Sequence, residues 1–156
     1  MHLYETHLPV QSTERSLAFY REVVGLELAY RDPSRDIVFL WIGAERRSML
    51  GLWGPSTSYG QQPCKHHLAS AVSLDELLVL GPQLNARQVV TTNFLGEQTT
   101  EPSVIGWMPS AQLYFSDPDG HALEYLALLD EIPDPSFLGT LSTWRERPGA
   151  ANSQSR

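Results

Sequence analysis

One order of elements, a strand followed by a helix and three further strands, occurs twice along this chain, and that duplication restricts the fold more than any other feature. In the first pass, residues 3–10 read as a strand. Ser12 and Thr13 then cap a helix that carries Leu17, Tyr20 and Val24 on one stripe and ends at Gly25. Strands at 27–31, 37–42 and 48–53 follow, divided by the turn formers Asp32-Pro33-Ser34 and Gly43-Ala44-Glu45. Residues 55–64, rich in Gly, Ser, Gln and Pro, read as a linker. The order then restarts with a strand at 66–72, and Ser73-Leu74-Asp75-Glu76 has the spacing of a capping box opening a helix that carries Leu77, Leu80 and Leu84. Strands at 88–92, 111–116 and 122–128 complete the second pass. The expectation is an α+β fold of two βαβββ modules, 1–54 and 65–130, within one domain, with 131–156 as a tail. In that tail Phe137, Leu138, Leu141 and Trp144 can dock a short helix, and the end from Pro148 frays.

Bulk properties exclude several functions. A chain of 156 residues, 42% hydrophobic and 19% charged, can bury one good core. A formal net charge of -7, with no block of Lys and Arg, argues against nucleic acid or anionic lipid as a partner. No run of apolar residues is long enough for a membrane span, and the N-terminus passes directly into Glu5 and His7. The single cysteine, Cys64, has no internal partner, which points to a reduced, cytoplasmic setting. Its functional reading is a nucleophile, and the favoured one is a small packing residue.

The chemistry centres on Glu124. Asp117-Pro118-Asp119-Gly120 supplies a tight turn between two strands. Beyond it, the two-residue strand period sends Ala122, Glu124, Leu126 and Leu128 to one face and Leu123, Tyr125, Ala127 and Leu129 to the other. Neither face is polar, so Glu124 is expected to be paired, hydrogen-bonded or bound to a cation; an isolated carboxylate there costs several kcal/mol. Glu5 and His7 share a face of the first strand, and His67 shares one with Ala69 and Ala71, which leave space beside it. If the modules pack as pseudo-symmetric halves, Glu5 or His7, His67 and Glu124 come together in one cup, where imidazole and carboxylate suit a divalent cation. A lone strand histidine is more often a hydrogen-bonded structural group. The long loop at 93–108 has the character of a segment bordering a binding site, with Trp107 and Met108 as candidate lining residues.

Four segments together resemble the vicinal oxygen chelate superfamily. They are Val10-Gln11-Ser12-Thr13-Glu14-Arg15-Ser16-Leu17-Ala18-Phe19-Tyr20, Val24-Gly25-Leu26-Glu27-Leu28, His67-Leu68-Ala69, and the run from Tyr114 through Asp117-Pro118-Asp119-Gly120 to Glu124. The superfamily includes glyoxalase I, fosfomycin-modifying thiol transferases, extradiol dioxygenases, methylmalonyl-CoA epimerase and bleomycin-binding proteins, and the resemblance extends from residue 3 to about 130. It implies two βαβββ modules forming an open, incomplete barrel-like mixed sheet (the glyoxalase-like fold), usually in a homodimer, around a metal that chelates two neighbouring substrate oxygens. It places metal ligands at His67 and Glu124 and the first-strand ligand at Glu5, with His7 two residues later as an alternative ligand, a second-layer group or a general base.

The resemblance also separates the family's activities. Glyoxalase I usually brings a fourth ligand, a carboxylate near the end of the first module, and Ser48-Met49-Leu50-Gly51-Leu52-Trp53 contains none. Fosfomycin enzymes fit on ligand count, and Tyr114 stands where they carry a substrate-contacting tyrosine. The loop after Gln88, however, lacks the basic residue and serine cluster that hold a phosphonate. The leading expectation is a metal-dependent enzyme (Mn, Ni, Zn, Mg or Fe) acting on a small oxygenated metabolite or xenobiotic by lyase, isomerase or thiol-transfer chemistry. Glu124 and His7 would be its catalytic groups, and Tyr114 and Trp107 its substrate contacts. The alternatives are a metal-free binding protein of the bleomycin-resistance type and an Fe-dependent extradiol dioxygenase with His7 as first ligand.

Overall fold

The computed structural model describes residues 2–32, 34–61 and 64–147, so Pro33 of the first turn, Gln62 and Pro63 of the linker and the segment from Pro148 lie outside the described residues. The chain divides into two compact units, Met1–His66 with Asp117–His121, and His67–Ser116 with Ala122–Arg156.

The first unit holds β1 (Glu5–Pro9), α1 (Thr13–Phe19), a π-helical turn (Tyr20–Val24), β2 (Glu27–Arg31), β3 (Ile37–Ile42) and β4 (Ser48–Trp53). Ser12 caps α1 as its sequence position suggests, its side chain accepting from the Arg15 N–H. The helix expected to continue to Gly25 instead widens over its last five residues into the π turn, and the Leu26 N–H closes back on the Tyr20 carbonyl at 2.9 Å. The sheet runs in the order β1-β4-β3-β2. β1 lies parallel to β4, and the other pairs are antiparallel. Alternation places Leu8, Val38, Leu40, Leu50 and Leu52 in the buried layer beneath α1.

The Asp-Pro-Asp-Gly turn belongs to this unit and is held by α1 and the turn that follows it. Asp117 Oδ1 accepts from the Asp119 and His121 N–H groups, and Gly120 takes the positive φ (79°) that closes the turn. The Tyr20 hydroxyl donates to Asp117 Oδ2 at 3.1 Å, Ser16 Oγ donates to Asp119 Oδ2 at 3.1 Å, and Arg15 pairs with Asp119. Burial, reinforced by the Asp117 carboxylate, pushes the Tyr20 hydroxyl well above its usual pKa. His121 is buried with both ring nitrogens engaged: Nε2 lies 2.8 Å from the Pro9 carbonyl, and Nδ1 accepts from the His66 N–H. It is a structural histidine. Cys64, expected to pack, is exposed.

The second unit repeats the order and extends it: β5 (His67–Ala71), α2 (Leu74–Ala86), β6 (Ser103–Ile105), β7 (Ser110–Ser116), β8 (Ala122–Leu128), β9 (Leu138–Thr140) and α3 (Leu141–Arg145). Its sheet runs β5-β8-β7-β6-β9, with β5 parallel to β8. The first four strands thus repeat the topology of the first unit. The capping box at Ser73 and Glu76 forms with both reciprocal hydrogen bonds. Beneath α2 lie Leu113, Phe115, Leu123, Tyr125 and Ala127.

Two expectations need correction in this unit. Residues 88–92 form no strand, because the end of α2 consumes them. Gln88 takes φ 64°, and the Val89 N–H turns back to the Leu84 carbonyl, leaving only Thr92 bridged to Tyr114 and Gln98. The missing strand is β6, inside the segment expected to be a long loop. The tail contributes a strand as well as a helix: β9 pairs with β6, and α3 buries Leu141 and Trp144.

Candidate functional site

His67 opens β5 and Glu124 lies within β8, the neighbouring parallel strand. The register pairs His67 with Ala122 and Ala69 with Glu124, so imidazole and carboxylate meet on a diagonal of one sheet face. His67 Nε2 stands 2.9 Å from Glu124 Oε2. The Glu124 side chain is 6% exposed and that of His67 54%, so the acid is sunk in the sheet while the imidazole faces outward above it. This pairing satisfies the otherwise costly carboxylate in an apolar strand. Tyr114 is directly opposite Glu124 on β7, and burial first, then the adjacent Glu124 carboxylate, push its hydroxyl pKa up. The Tyr114 ring lies 6.2 Å from that of His67 and 6.4 Å from that of Phe94, giving a row of three rings along the face. Ala69 shares this face, in register with Glu124 on the neighbouring strand.

The first unit carries the other pair. His7 Nε2 lies 3.3 Å from Glu5 Oε1, within ion-pair range, yet it is a buried nitrogen without an aligned hydrogen-bond partner among the described residues. Around it stand Trp53, with ring centroids 5.1 Å apart, and Phe39 and Tyr59, each at 6.1 Å. Trp53 Nε1 is likewise buried and without a partner among the described residues. Phe39, Trp53 and Tyr59 were missed as site residues. The first two read as ordinary strand aromatics, and Tyr59 falls in the segment expected to be a linker.

The registers of the two units expose a reciprocal exchange. In the second unit Ala69 is paired with Glu124; in the first, the corresponding positions pair His7 with Gly51. A Cβ on Gly51 would come within 2.7 Å of His7 Cδ2 and 3.2 Å of both Phe39 Cε1 and Trp53 Nε1. Where one unit sets an acid beside a small residue, the other sets an imidazole over a bare backbone, and this is why β4 has no room for a carboxylate at that point.

Trp107 is 63% exposed in the connection between β6 and β7, ahead of Ser110, which opens β7; Met108 follows it in the same connection. Among the described residues no group of three or more His, Cys, Asp or Glu side chains is gathered as a metal cluster; Glu5 with His7 and His67 with Glu124 stand as pairs within their own units. The His67–Glu124 pair offers one nitrogen and one oxygen donor on adjacent strands, a partial set that fits a borderline divalent cation.

Residues 2–125 match the family described as Glyoxalase/Bleomycin resistance protein/Dioxygenase superfamily, and the chain belongs to it. An integron cassette protein from the mobile metagenome of the Halifax Harbour sewage outfall is 31% identical, over 81% of this chain and 98% of that one, with a TM-score of 0.68. A lactoylglutathione lyase from Agrobacterium tumefaciens is 23% identical over 81% of this chain and 92% of its own, with a TM-score of 0.62. TnmS3, an antibiotic binding protein from Streptomyces sp. CB03234, is 20% identical over 83% and 97%, with a TM-score of 0.65. At those identities the last two share the fold. Among curated proteins none matches the sequence.

Proposed function

We propose that the protein is a metal-dependent enzyme acting on a small oxygenated molecule, with His67 and Glu124 anchoring the cation. The observation that carries this reading is the 2.9 Å meeting of an outward-facing imidazole with a sunken carboxylate on adjacent parallel strands. The third donor would be Glu5 or His7, as the family resemblance implies, and a homodimer belongs to the same reading. When bound, the cation would act as an electrophile toward two neighbouring substrate oxygens. The chain's own residues supply the rest. Glu124 is held in place on the face by His67. Tyr114, its proton retained by burial and by Glu124, offers a hydroxyl donor to a substrate oxygen. His7, with an unpartnered ring nitrogen beside Glu5, is equipped to accept a proton.

The test is metal binding by the purified chain. About one Mn²⁺, Ni²⁺, Zn²⁺ or Fe²⁺ per chain is expected, with a metal-dependent rise in melting temperature. Glu124→Ala and His67→Ala should each weaken binding by about tenfold or more. Stoichiometric uptake by the double variant would refute the assignment.

A second reading, stoichiometric binding of a small molecule without turnover, is favoured by the first unit's cluster of His7, Phe39, Trp53 and Tyr59 with its two unpartnered nitrogens. It predicts ligand binding that survives exhaustive chelation, whereas the leading reading predicts loss of activity on chelation and its return with added metal.

A further inference from the structure

The second unit contains a cavity of about 250 Å³ between the loop that follows Thr92 and the β6–β9 edge. Its apolar walls are Phe94, Leu95 and Leu138, all more than half exposed, and its polar walls include Glu97 and Glu101 but no Lys or Arg. Such side chains open to water at one spot mark a binding surface more often than scattered exposure does.

The loop is held in shape before any ligand arrives. Asn93 Oδ1 accepts from the Leu95 and Glu97 N–H groups, Asn93 Nδ2 donates to Glu97 Oε2 at 2.8 Å, and Phe94 N–H donates to Ser103 Oγ. On the opposite wall the Ser142 N–H donates to Glu101 Oε1 at 3.1 Å. The Ser142 side chain first, and then this N–H, hold the Glu101 carboxyl below its usual pKa. Among the described residues neither acid belongs to an ion pair. Two fixed acids without a basic partner, flanked by an aromatic face, are the elements by which proteins hold an ammonium group.

We infer that this cavity binds a small organic cation with an apolar body, an arylalkyl ammonium, with the charge set between Glu97 and Glu101 and the body against Phe94, Leu95 and Leu138. The volume of about 250 Å³ lies just below the roughly 300–1,000 Å³ of drug-sized ligand pockets, which suits one ring and a short amine arm rather than a larger molecule. Phe94 also continues the row of rings through Tyr114 to His67, so the cavity adjoins the metal-anchoring pair without depending on it.

The experiment is calorimetric titration of the full chain at low ionic strength with three probes of one shape: 2-phenylethylammonium, 2-phenylethanol and phenylacetate. The cation is expected to bind saturably, about tenfold or more tightly than the alcohol, with the anion weakest, and to weaken as salt is added. The Glu97→Gln/Glu101→Gln double variant, checked for folding by circular dichroism, should lose that preference, and Phe94→Ala should weaken cation and alcohol alike. Chelator should leave the binding unchanged, which separates failure here from failure of the metal reading. Equal affinity for cation and alcohol in the unaltered chain, undiminished preference in the double variant, or no saturable binding of the cation would each overturn the proposal.

Discussion

His7 and Gly51 face each other across β1 and β4, and the imidazole fills the volume a side chain at 51 would need. Gly51→Ala should therefore destabilise the protein by about 1–3 kcal/mol through overpacking. His7→Ala should remove most of that penalty in the double variant, measured as a coupling energy in denaturant titrations; additive effects would show that the ring gives way freely. Tyr20 makes a second prediction. Its hydroxyl is buried on Asp117, so its folded pKa lies above its ordinary value of 10.0. The stabilising effect is fully present below about pH 10 and is lost as the pH rises toward the folded value, because ionisation becomes favoured once the chain unfolds. Tyr20→Phe should cost about 1 kcal/mol at neutral pH and flatten the alkaline limb of the stability curve. Glu124 was legible from the sequence because a carboxylate in an apolar alternation demands a partner, and His67 is that partner. Trp53 and Tyr59 were not, since an aromatic on a strand or in a Gly- and Ser-rich segment carries no mark of the ring it will meet.

At the scale of elements, α2 begins where Ser73 and Glu76 satisfy each other, and this start was readable because a capping box is local chemistry with fixed spacing. Ser73→Ala should cost about 1 kcal/mol in thermal or denaturant unfolding. The Ser73 hydroxyl and N–H lower the pKa of Glu76 from its ordinary value of 4.5. The contribution is thus present above that value and lost as the pH falls through the lower folded one. Protection factors of the amides in the first turn of α2, taken against intrinsic exchange at each pH, should fall with acid across that window in the unaltered chain but not in Glu76→Gln. The other end of α2 was illegible for an equally physical reason. Val89, Val90 and Thr91 favour strands, but the positive φ at Gln88 and the return of Val89 N–H to Leu84 spend the segment on ending the helix. The short β6 lacks the length that makes a strand visible to alternation and depends on β7 and β9 on either side.

For the whole molecule, the duplicated order was the most readable property, since the first four strands of each unit share one sheet topology although few residue identities coincide. Less visible was the role of the chain after residue 130. Trp144 is fully buried, with Phe137 against it at 4.9 Å between ring centroids and Arg147 laid over its face. Trp144→Ala should destabilise the protein by about 3–5 kcal/mol, and removing residues 138–147 should expose the β6 edge; a melting temperature unchanged in both would show that this segment is dispensable. The exchange at positions 7 and 51 has a consequence for descent. An acid cannot be installed on β4 without displacing the imidazole, and discarding the imidazole first empties the spot before any replacement exists. A lineage equipping its leading repeat with an acid like that of the trailing one must therefore cross a two-step valley, and the two halves, alike in path, are kept from trading parts by a single crowded spot.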